Sequence, residues 1–349
     1  MINNKKKSVS LTAVGDVLLH ASVYGGLNKT SGYTFNEQLK NVKHLLGKTD
    51  LTVANLETII AGNSIGLSEY PKFNAPVEIG YTLKEMGVDL VTIANNHVLD
   101  RGEEGLLKSI ENLETIGLEY DGAYKSAKDK KRLRIIDVNG LKVCFLSFTR
   151  GTNKNEVPAD KPFLVNTLKN NPIIKINNRM RWLKERNIVD VIVVNMHFGK
   201  EYHLFPSRYQ RELAASLSDG GADVIIGHHP HVLQPPEWIE NSRGTKTFVA
   251  YSMGNFFSGQ NGVYRQIGAT LTLDLVKPNP EYKEVIVKNP SYRLTFTKKE
   301  SNRVNIYELE KWIKKNKTIE TTDALFRSKE VYKKIKNRMK EWIPDLDIS

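Results

Sequence analysis

The amino-acid sequence predicts an α/β fold in which helices cover mixed β-sheets. Short β-branched segments alternate with longer amphipathic ones through the first three-quarters of the chain, which is typical of helices packed on sheets. The Asn139-Gly140 dipeptide joins two apolar segments, residues 134–138 and 142–148, and predicts a hairpin with a type I′ turn. An antiparallel hairpin within this alternation indicates sheets of mixed strand direction.

Hydrophobic patterning assigns the elements of the first 276 residues, which we expect to form one domain. The predicted strands are residues 9–14, 51–54, 90–94, 134–138, 142–148, 189–194, 224–226, 247–252 and 268–276. The predicted helices are residues 35–46, 79–86, 106–116, 178–186 and 208–218.

The chain changes character after Pro278, so residues 277–349 are expected to form a C-terminal segment packed on the main domain. Strands are predicted at residues 282–287 and 291–296, followed by basic amphipathic helices at residues 304–315 and 328–342. The apolar residues of both helices recur at helical spacing, which predicts docking. Their lysines would then face solvent or an anionic partner.

Composition limits the classes of function. With 40% hydrophobic and 26% charged residues, the chain resembles a soluble globular protein. The single cysteine, Cys144, excludes an internal disulfide and a cysteine-rich zinc cage. The net charge of +12 is concentrated in the C-terminal segment and suggests nucleic acid, an anionic polymer or an anionic membrane surface as partner. A solvated lysine-rich surface explains the same charge and is the preferred interpretation.

No targeting segment is recognised in the sequence. The basic residues 1–7 lead directly into a β-rich segment rather than the apolar core of a signal peptide. No stretch reaches the ~20 apolar residues that a membrane helix needs. We therefore expect a cytoplasmic protein without a transmembrane segment, or one associated with the cell surface if an anchor precedes this sequence.

Histidine and acidic residues collect at the ends of five predicted strands. Because sites in open α/β sheets form beyond the carboxyl ends of strands, these residues are expected to share one crevice. Six of the eight histidines belong to these strand ends, and only His44 and His203 fall outside them. The five strand ends are Gly15-Asp16 with His20, Asn55-Leu56-Glu57, Asn95-Asn96-His97 with Asp100, Asn195-Met196-His197, and Gly227-His228-His229-Pro230-His231.

The combination of these five strand ends predicts a metal centre, although each one alone has a simpler explanation. A Gly-Asp pair is a common turn, Asn-Asn-His is compatible with a helix N-cap, and a single His197 suits a hydrogen-bonded core. His229 and His231 are more specific, because imidazoles at i and i+2 on an extended loop can point at one site. Imidazole and carboxylate ligands suit Zn, Mn and Fe.

The order of these motifs resembles the metallophosphoesterase (calcineurin-like) superfamily and, within it, the CapA family of poly-γ-glutamate capsule-synthesis proteins. The resemblance covers residues 9–276 and implies an αββα sandwich of two mixed sheets flanked by helices. The motifs that carry it are Gly15-Asp16-Val17-Leu18-Leu19-His20, Asn55-Leu56-Glu57-Thr58, residues 94–102 (ANNHVLDRG), residues 197–202 (HFGKEY), residues 227–234 (GHHPHVLQ) and residues 251–256 (YSMGNF).

The resemblance also implies two divalent ions and a role for each motif residue. Asp16 and His231 would hold one ion, with His20 as a further candidate. The second ion would be held by Asn96, His197 and His229. His97 resembles the general acid that protonates the leaving group, oriented by Asp100, and His228 would support the ligands.

Three positions depart from the superfamily pattern. His20 follows Asp16 by four residues rather than two, and Asn95 stands where glycine is usual. The second motif is Asn-Leu-Glu, so either Asn55 or Glu57 would bridge the ions. Glu57 is favoured, because two cations that share a site require an anionic bridge.

The predicted function is hydrolysis of a phosphoester, or a part in poly-γ-glutamate capsule biosynthesis. The alternative is a non-catalytic component of poly-γ-glutamate synthesis or export that binds the acidic polymer. A nuclease is the least favoured class, because no basic groove with interleaved aromatic residues is evident. The candidates for binding the phosphorylated or polyanionic substrate are Arg150, Lys200, Glu201, Arg265, Ser252 and Asn255.

Overall fold

The computed structural model describes residues 6–27, 32–279, 282, 284–300, 303–316 and 323–349, with side chains described outside residues 323–328. Its strands are β1 (Lys7–Leu18), β2 (Leu51–Leu56), β3 (Leu90–Thr92), β4 (Glu119–Asp121), β5 (Arg134–Val138), β6 (Leu141–Thr149), β7 (Val191–His197), β8 (Val224–His228), β9 (Leu233–Gln234), β10 (Glu237–Glu240), β11 (Lys246–Ala250), β12 (Ser252–Met253), β13 (Asn255–Ser258), β14 (Ile267–Lys277), β15 (Ile286–Glu300), β16 (Arg303–Glu308) and β17 (Asp347–Ile348).

The helices lie mostly between the parallel strands. They are α1 (Ala21–Tyr24), α2 (Asn36–Leu39), α3 (Lys43–Leu46), α4 (Glu78–Glu85), α5 (Gly102–Ile116), α6 (Ala127–Lys131), α7 (Ile173–Glu185), α8 (Arg208–Gly220), α9 (Leu309–Lys315) and α10 (Asp323–Met339), with a 3₁₀ turn at Gly62–Ile65. None of these helices, in the part of the chain that is described, combines the length and apolar character needed to cross a bilayer.

Two large mixed sheets form the centre of the molecule. The first has nine strands in the order β16-β15-β14-β1-β2-β3-β4, with β13 added beside β1 and β17 beside β15. Strands β1 to β4 run parallel, whereas β14 is antiparallel to both β1 and β15. The second sheet has the order β10-β11-β8-β7-β6-β5 and is parallel from β11 to β6. The predicted mixed sheets are therefore confirmed.

Alternation of side chains along the strands produces four layers. Val191 and Val193 of β7 face the interior between the two sheets, together with Leu11 of β1. Ile192 and Val194 point the other way, into a core shared with α7 and α8. A third apolar cluster joins the outer face of the first sheet to α4 and α5. Because strand side chains alternate between faces, this division produces the predicted αββα sandwich.

Most predicted elements are present, with shifted boundaries. The hairpin is confirmed: β5 and β6 are joined by Asn139 and Gly140, both with positive φ (50° and 76°), as a type I′ turn requires. The single helix predicted at residues 35–46 is instead two short helices, α2 and α3. The strand predicted at residues 282–287 includes residue 283, which lies outside the described residues, and β15 begins at Ile286.

The helix predicted at residues 304–315 is wrong in its first half. Residues 303–308 form β16, the edge strand of the first sheet, and the helix begins only at Leu309. Val304 and Ile306 are both buried against the first sheet and its helices, at two-residue spacing. Leu309, Ile313 and Met339 are buried as well, and they join the core between the sheets. The C-terminal segment is thus built into the sandwich.

Candidate metal centre

The carboxyl ends of parallel strands from both sheets meet at one edge of the sandwich. Asp16 lies near the end of β1, and Glu57 directly follows β2. In the second sheet, His197 and His228 are the last residues of β7 and β8 and lie side by side in the register. All four side chains are buried. The structure therefore brings the predicted strand ends into one crevice.

Glycine allows Asp16 to reach this crevice. A Cβ on Gly15 would lie 2.0 Å from the carbonyl oxygen of Gly254, and the amide of Asp16 donates a 2.9 Å hydrogen bond to the same oxygen. No side chain can occupy that space, because the obstacle is backbone. The close approach of β1 to the Met253-Gly254 segment, at the junction of β12 and β13, thus depends on glycine at position 15.

Both carboxylate oxygens of Asp16 are engaged. One oxygen lies 3.1 Å from His228 Nδ1 and accepts a 2.8 Å hydrogen bond from Asn55. The other lies 3.0 Å from Nδ1 of His231. Burial alone would raise the pKa of Asp16, but the hydrogen bonds from His228 and His231 outweigh it and hold that pKa well below its usual value. Asp16 is therefore an anion at neutral pH.

Glu57 lies between two imidazoles, one at the end of β7 and one on the loop that follows β8. Its Oε1 is 3.4 Å from Nε2 of His197 and 3.7 Å from Nε2 of His231. Burial, followed by repulsion from Asp16, raises the pKa of Glu57 well above its usual value. A buried carboxylate with these neighbours is most stable when a cation compensates its charge.

His229 and His231 approach Glu57 from a loop with unusual backbone geometry. Their φ angles are 96° and 56°, in a region that non-glycine residues seldom occupy. Burial and the charge of His231 lower the pKa of His229 to about 4, and burial together with His229 lowers the pKa of His197. The imidazoles of His197 and His229 are thus neutral at pH 7 and keep a lone pair for a metal ion.

Two further distances in the cluster equal the separation expected between neighbouring ligand atoms of one metal ion. The amide oxygen of Asn96 lies 2.9 Å from His197 Nε2, close to the 3.0 Å between Asp16 and His231. Two ligand atoms that are each ~2.1 Å from a metal, at a right angle, are ~3 Å apart. The same distances also suit direct hydrogen bonds. The hydrogen-bonded and the metal-bound arrangement therefore use the same positions of the side chains.

Buried atoms that lack protein partners provide the test of whether a metal fits. Glu57 Oε1, His197 Nδ1, His229 Nδ1 and Asn55 Oδ1 are buried without a hydrogen-bond partner among the described residues. Such atoms are costly unless something compensates them. Ligand atoms of Glu57, His229 and His231 also lie within 4.8 Å of one another. This donor set therefore fits a divalent cation.

A second pair of residues, His97 and Asp100, lies at the side of this cluster. Nδ1 of His97 is 2.7 Å from Oδ2 of Asp100, which also accepts the backbone N–H of Phe73 at 2.8 Å. The ring of Phe73 packs edge-on against His97, with centroids 4.7 Å apart. Because Asp100 accepts the Nδ1 proton, Nε2 of His97 is the nitrogen free to exchange a proton.

The other predicted site residues have different surroundings. His20 contacts the carbonyl of Leu18, the amide of Gly259 and, at 5.1 Å between rings, Phe73. Asn255 is within the cluster, because its Oδ1 lies 3.1 Å from His231 Nδ1. Ser252 is buried, and its hydroxyl accepts a hydrogen bond from the amide of Gly254.

The charged candidates lie outside the buried cluster. Lys200 and Glu201 are exposed. The guanidinium of Arg150 is stacked 5.3 Å from the ring centroid of Tyr209. Arg265 stacks at 4.8 Å on Tyr202, whose ring is 6.2 Å from that of His231.

Sequence reasoning missed three contributors to the site. Phe73 separates His20 from His97, Tyr202 covers His231, and Asn153 accepts a 3.3 Å hydrogen bond from Asn96. All three lie in loops without periodic patterning. Tyr202 is the last residue of the 197–202 motif, although no role was assigned to it, whereas Phe73 and Asn153 carry no signal in the sequence.

The fold and the site together define an αββα-sandwich protein with a histidine- and carboxylate-lined candidate metal centre at the carboxyl ends of its strands. Residues 10–260 match the family described as "Bacterial capsule synthesis protein PGA_cap". The chain belongs to this family, and the resemblance to CapA proteins is confirmed.

Curated relatives point to the same family. The chain is 30% identical over 265 residues to the capsule biosynthesis protein CapA of Bacillus anthracis, covering 74% of this chain and 62% of that protein. It is 36% identical over 205 residues to the PGA biosynthesis protein CapA of Bacillus subtilis, covering 56% and 49%. A probable polyglutamine synthesis accessory protein of Mycobacterium tuberculosis is 23% identical over 62% of this chain and 57% of its own length. The matches thus span about half to three-fifths of each relative.

Proposed function

We propose that the protein is a two-metal phosphoesterase that acts in poly-γ-glutamate capsule biosynthesis. The biosynthetic role is supported by family membership and by the names of the Bacillus relatives. The hydrolytic activity is supported by the donor set at the strand ends, since imidazole, amide and carboxylate ligands suit Mn, Zn or Fe.

One observation carries the two-metal proposal, namely the position of Glu57 between His197 and His231. Asp16 and His231 form a group on one side of this carboxylate. Asn96 and His197 form a group on the other side, next to the ring of His229 at 4.8 Å. A single carboxylate between two such groups is the arrangement expected of a bridging ligand. Bound divalent ions would lower the pKa of a coordinated water and neutralise charge on phosphoryl oxygens.

The protein's own residues supply the remaining steps. His97 would hold a proton at Nε2 and deliver it to the leaving oxygen, while Asp100 stabilises the charged imidazole. Phe73 restricts the ring of His97 and covers one of its faces, which limits access of water. Arg150 and Lys200 would attract an anionic substrate as it approaches. Asn255 contacts His231, and Ser252 accepts a hydrogen bond from the amide of Gly254.

The decisive experiment combines metal analysis with generic phosphomonoester and phosphodiester assays of the purified protein. We expect about two divalent ions per chain and metal-dependent turnover. His97→Ala should retain metal and lose about 10²–10⁴-fold in turnover, the range for a missing general acid. Asp16→Asn should lose metal instead. Equal loss of metal in both variants would show that His97 is a ligand and that these roles are wrong.

The alternative is a non-catalytic component of poly-γ-glutamate synthesis or export that binds the acidic polymer. It is favoured by the exposed cationic side chains described in the next subsection. Metal without turnover toward any phosphoester, combined with salt-sensitive binding of polyglutamate, would support this alternative and contradict the phosphoesterase.

A further inference from the structure

A cavity of about 860 Å³ lies beside the edge of the six-stranded sheet, apart from the histidine cluster. Its walls come from β4, β5 and β6, from the loop of residues 156–172 and from α7. This volume is in the range of pockets that bury small organic ligands. Phe148, Val157 and Ile176 contribute apolar wall, so the cavity can contact aliphatic groups as well as charges.

Cationic side chains outnumber acidic ones around this cavity. The acidic residues are Asp121 and Glu156. Arg134 is paired with Asp129 at 2.7 Å, and Lys169 with Glu156 at 3.3 Å. The cationic residues of the wall are Lys130, Arg132, Arg134, Lys169, Lys175 and Arg179.

Lys130, Lys175 and Arg179 have no carboxylate partner within salt-bridge distance among the residues that the structure describes. The ammonium group of Lys130 donates to the carbonyl of Pro162 at 3.3 Å and lies 5.9 Å from the ring centroid of Tyr124. Burial and the charge of Arg179 lower the pKa of Lys130, so these two cations repel each other. An anionic ligand would relieve this repulsion.

The cationic surface continues from the cavity along α7. Lys175, Arg179, Trp182 and Arg186 follow one another at intervals of four, three and four residues, so they share one exposed face. The guanidinium of Arg186 stacks at 5.5 Å on the ring of Trp182. At 1.5 Å per residue the face extends for about 16 Å, longer than a small molecule needs. This length indicates an extended ligand.

One loop connects the cavity to the candidate metal centre. Asn153 accepts a hydrogen bond from Asn96, and Asn155 donates one of 3.5 Å to Asp100. The next residue, Glu156, already lines the cavity. A chain bound in the cavity would therefore lie directly behind the loop that supports the metal centre.

We propose that this cavity and the face of α7 bind an acidic polypeptide, with γ-linked oligoglutamate as the chemical class. The choice of glutamate rests on the proposed function, whereas the anionic and extended character of the ligand follows from the charges. A single-stranded nucleic acid is less suited, because the aromatic rings of the cavity wall, Tyr124, Phe145 and Phe148, are at most 9% exposed, and the exposed ring of Trp182 on α7 is already stacked against Arg186.

The test is binding of a fluorescently labelled γ-linked oligoglutamate to full-length protein that has been stripped of metal with a chelator. Lys175→Gln/Arg179→Gln should weaken binding about tenfold and reduce its salt dependence. Lys315→Gln/Lys333→Gln removes the same charge from exposed residues of α9 and α10 and should leave the affinity within about twofold. Both variants should show wild-type circular dichroism and unfolding.

Each other outcome overturns the proposal. Unchanged affinity of Lys175→Gln/Arg179→Gln, equal loss in the control pair, or no binding by the wild-type protein would show that this is not the polymer site. Tighter binding of a single-stranded oligonucleotide of equal charge would overturn the polypeptide assignment. Because the assay is done without metal, its failure is independent of the phosphoesterase measurements.

Discussion

Glu57 is a carboxylate without exposed surface, and the neighbouring amide of Asn55 donates only a 3.2 Å hydrogen bond to one of its oxygens. An uncompensated buried charge costs several kcal/mol, so Glu57 lowers the stability of the metal-free protein. The raised pKa of Glu57 is the direct expression of this cost. Removing the charge should therefore have opposite effects on the stability of the metal-free protein and on metal binding.

We predict that Glu57→Gln lowers the metal content while it stabilises the metal-free protein. The substitution keeps the side-chain shape but removes the anion between His197 and His231, so at least one of two ions should be lost. Without metal, unfolding should require about 1–2 kcal/mol more free energy, because no charge is buried. Elemental analysis and urea unfolding in chelator measure the two effects. A variant that binds metal like the wild type would remove Glu57 from the ligands.

The pKa shifts predict tighter metal binding as pH rises. The pKa of Glu57 is raised, so its proton must leave before a cation binds, whereas His197 and His229 are already neutral. The metal-bound state holds fewer protons, and affinity must fall as pH falls through the raised pKa of Glu57. Below about pH 4, protonation of His229 should weaken binding further.

Titration of Mn²⁺ or Zn²⁺ between about pH 5 and pH 8 measures this dependence. Glu57→Gln is the matched control and should flatten the curve over the same range. An affinity that does not change with pH in the wild-type protein would contradict the assignment of Glu57 as the group that releases the proton.

Six predicted ligands, Asp16, Glu57, Asn96, His197, His229 and His231, lie together in the structure, and their metal-binding roles remain predictions. Their grouping was accessible from sequence because strand ends in a parallel sheet share one edge. The position of His20 could not be predicted from the sequence, because nothing there indicates that the ring of Phe73 lies between His20 and His97. Lateral contacts made by loops depend on tertiary packing, which periodicity does not encode.

At the level of elements, the close approach of β1 to the Met253-Gly254 segment fixes the position of Asp16. Asp16 pairs with Asn255 in the parallel register between β1 and β13, and a register irregularity follows directly. Two strands that are far apart in sequence thus present Asp16 and Asn255 to the same imidazole, that of His231.

We predict that Gly15→Ala disturbs both stability and the metal centre. The added methyl group would meet the carbonyl of Gly254 at 2.0 Å, and backbone must move to relieve the clash. We expect a loss of about 2–4 kcal/mol in the free energy of unfolding, with reduced metal content. Gly151→Ala is the control, since a Cβ there would meet no described residue within 4 Å other than its chain neighbours, and it should be nearly neutral. Equal stability of the two variants would contradict the packing argument.

Element boundaries were less predictable than element types. Residues 304–315 contain apolar residues at spacings compatible with a strand followed by a helix, and the sequence pattern favoured one long helix. The strand forms because β15 offers an unpaired edge to residues 303–308, a contribution that only the assembled sheet provides. For residues 35–46 one helix was predicted and two are present. Lys40 caps the end of α2 and Val42 caps the start of α3, so the predicted helix is interrupted between them.

At the level of the whole molecule, we propose that residues 1–276 carry the candidate centre and that residues 277–349 brace it. The brace is integral, since β15 and β16 extend the first sheet and Gln38 donates a 2.7 Å hydrogen bond to the carbonyl of Val304. Met339 of α10 is fully buried in the core between the sheets.

Met339→Ala should therefore destabilise the entire sandwich, by about 2–4 kcal/mol, as a cavity in a shared core does. Lys333→Ala on the same helix is exposed and should change stability by less than about 0.5 kcal/mol. Thermal unfolding should remain one transition for both variants. A separate early transition in Met339→Ala, with the main transition unchanged, would show that the C-terminal segment is an independent unit.

The central position of β1 has a consequence for how the protein is made. Its antiparallel neighbour β14 begins at Ile267, and Asp16 precedes His231 by 215 residues. At a synthesis rate of about 5–20 residues per second, Asp16 leaves the ribosome at least ~10 s before its imidazole partners exist. A nascent chain therefore has no complete set of ligands to capture a cation. The choice among Mn, Zn and Fe would be made by the finished protein, from the metals available in the compartment where folding ends.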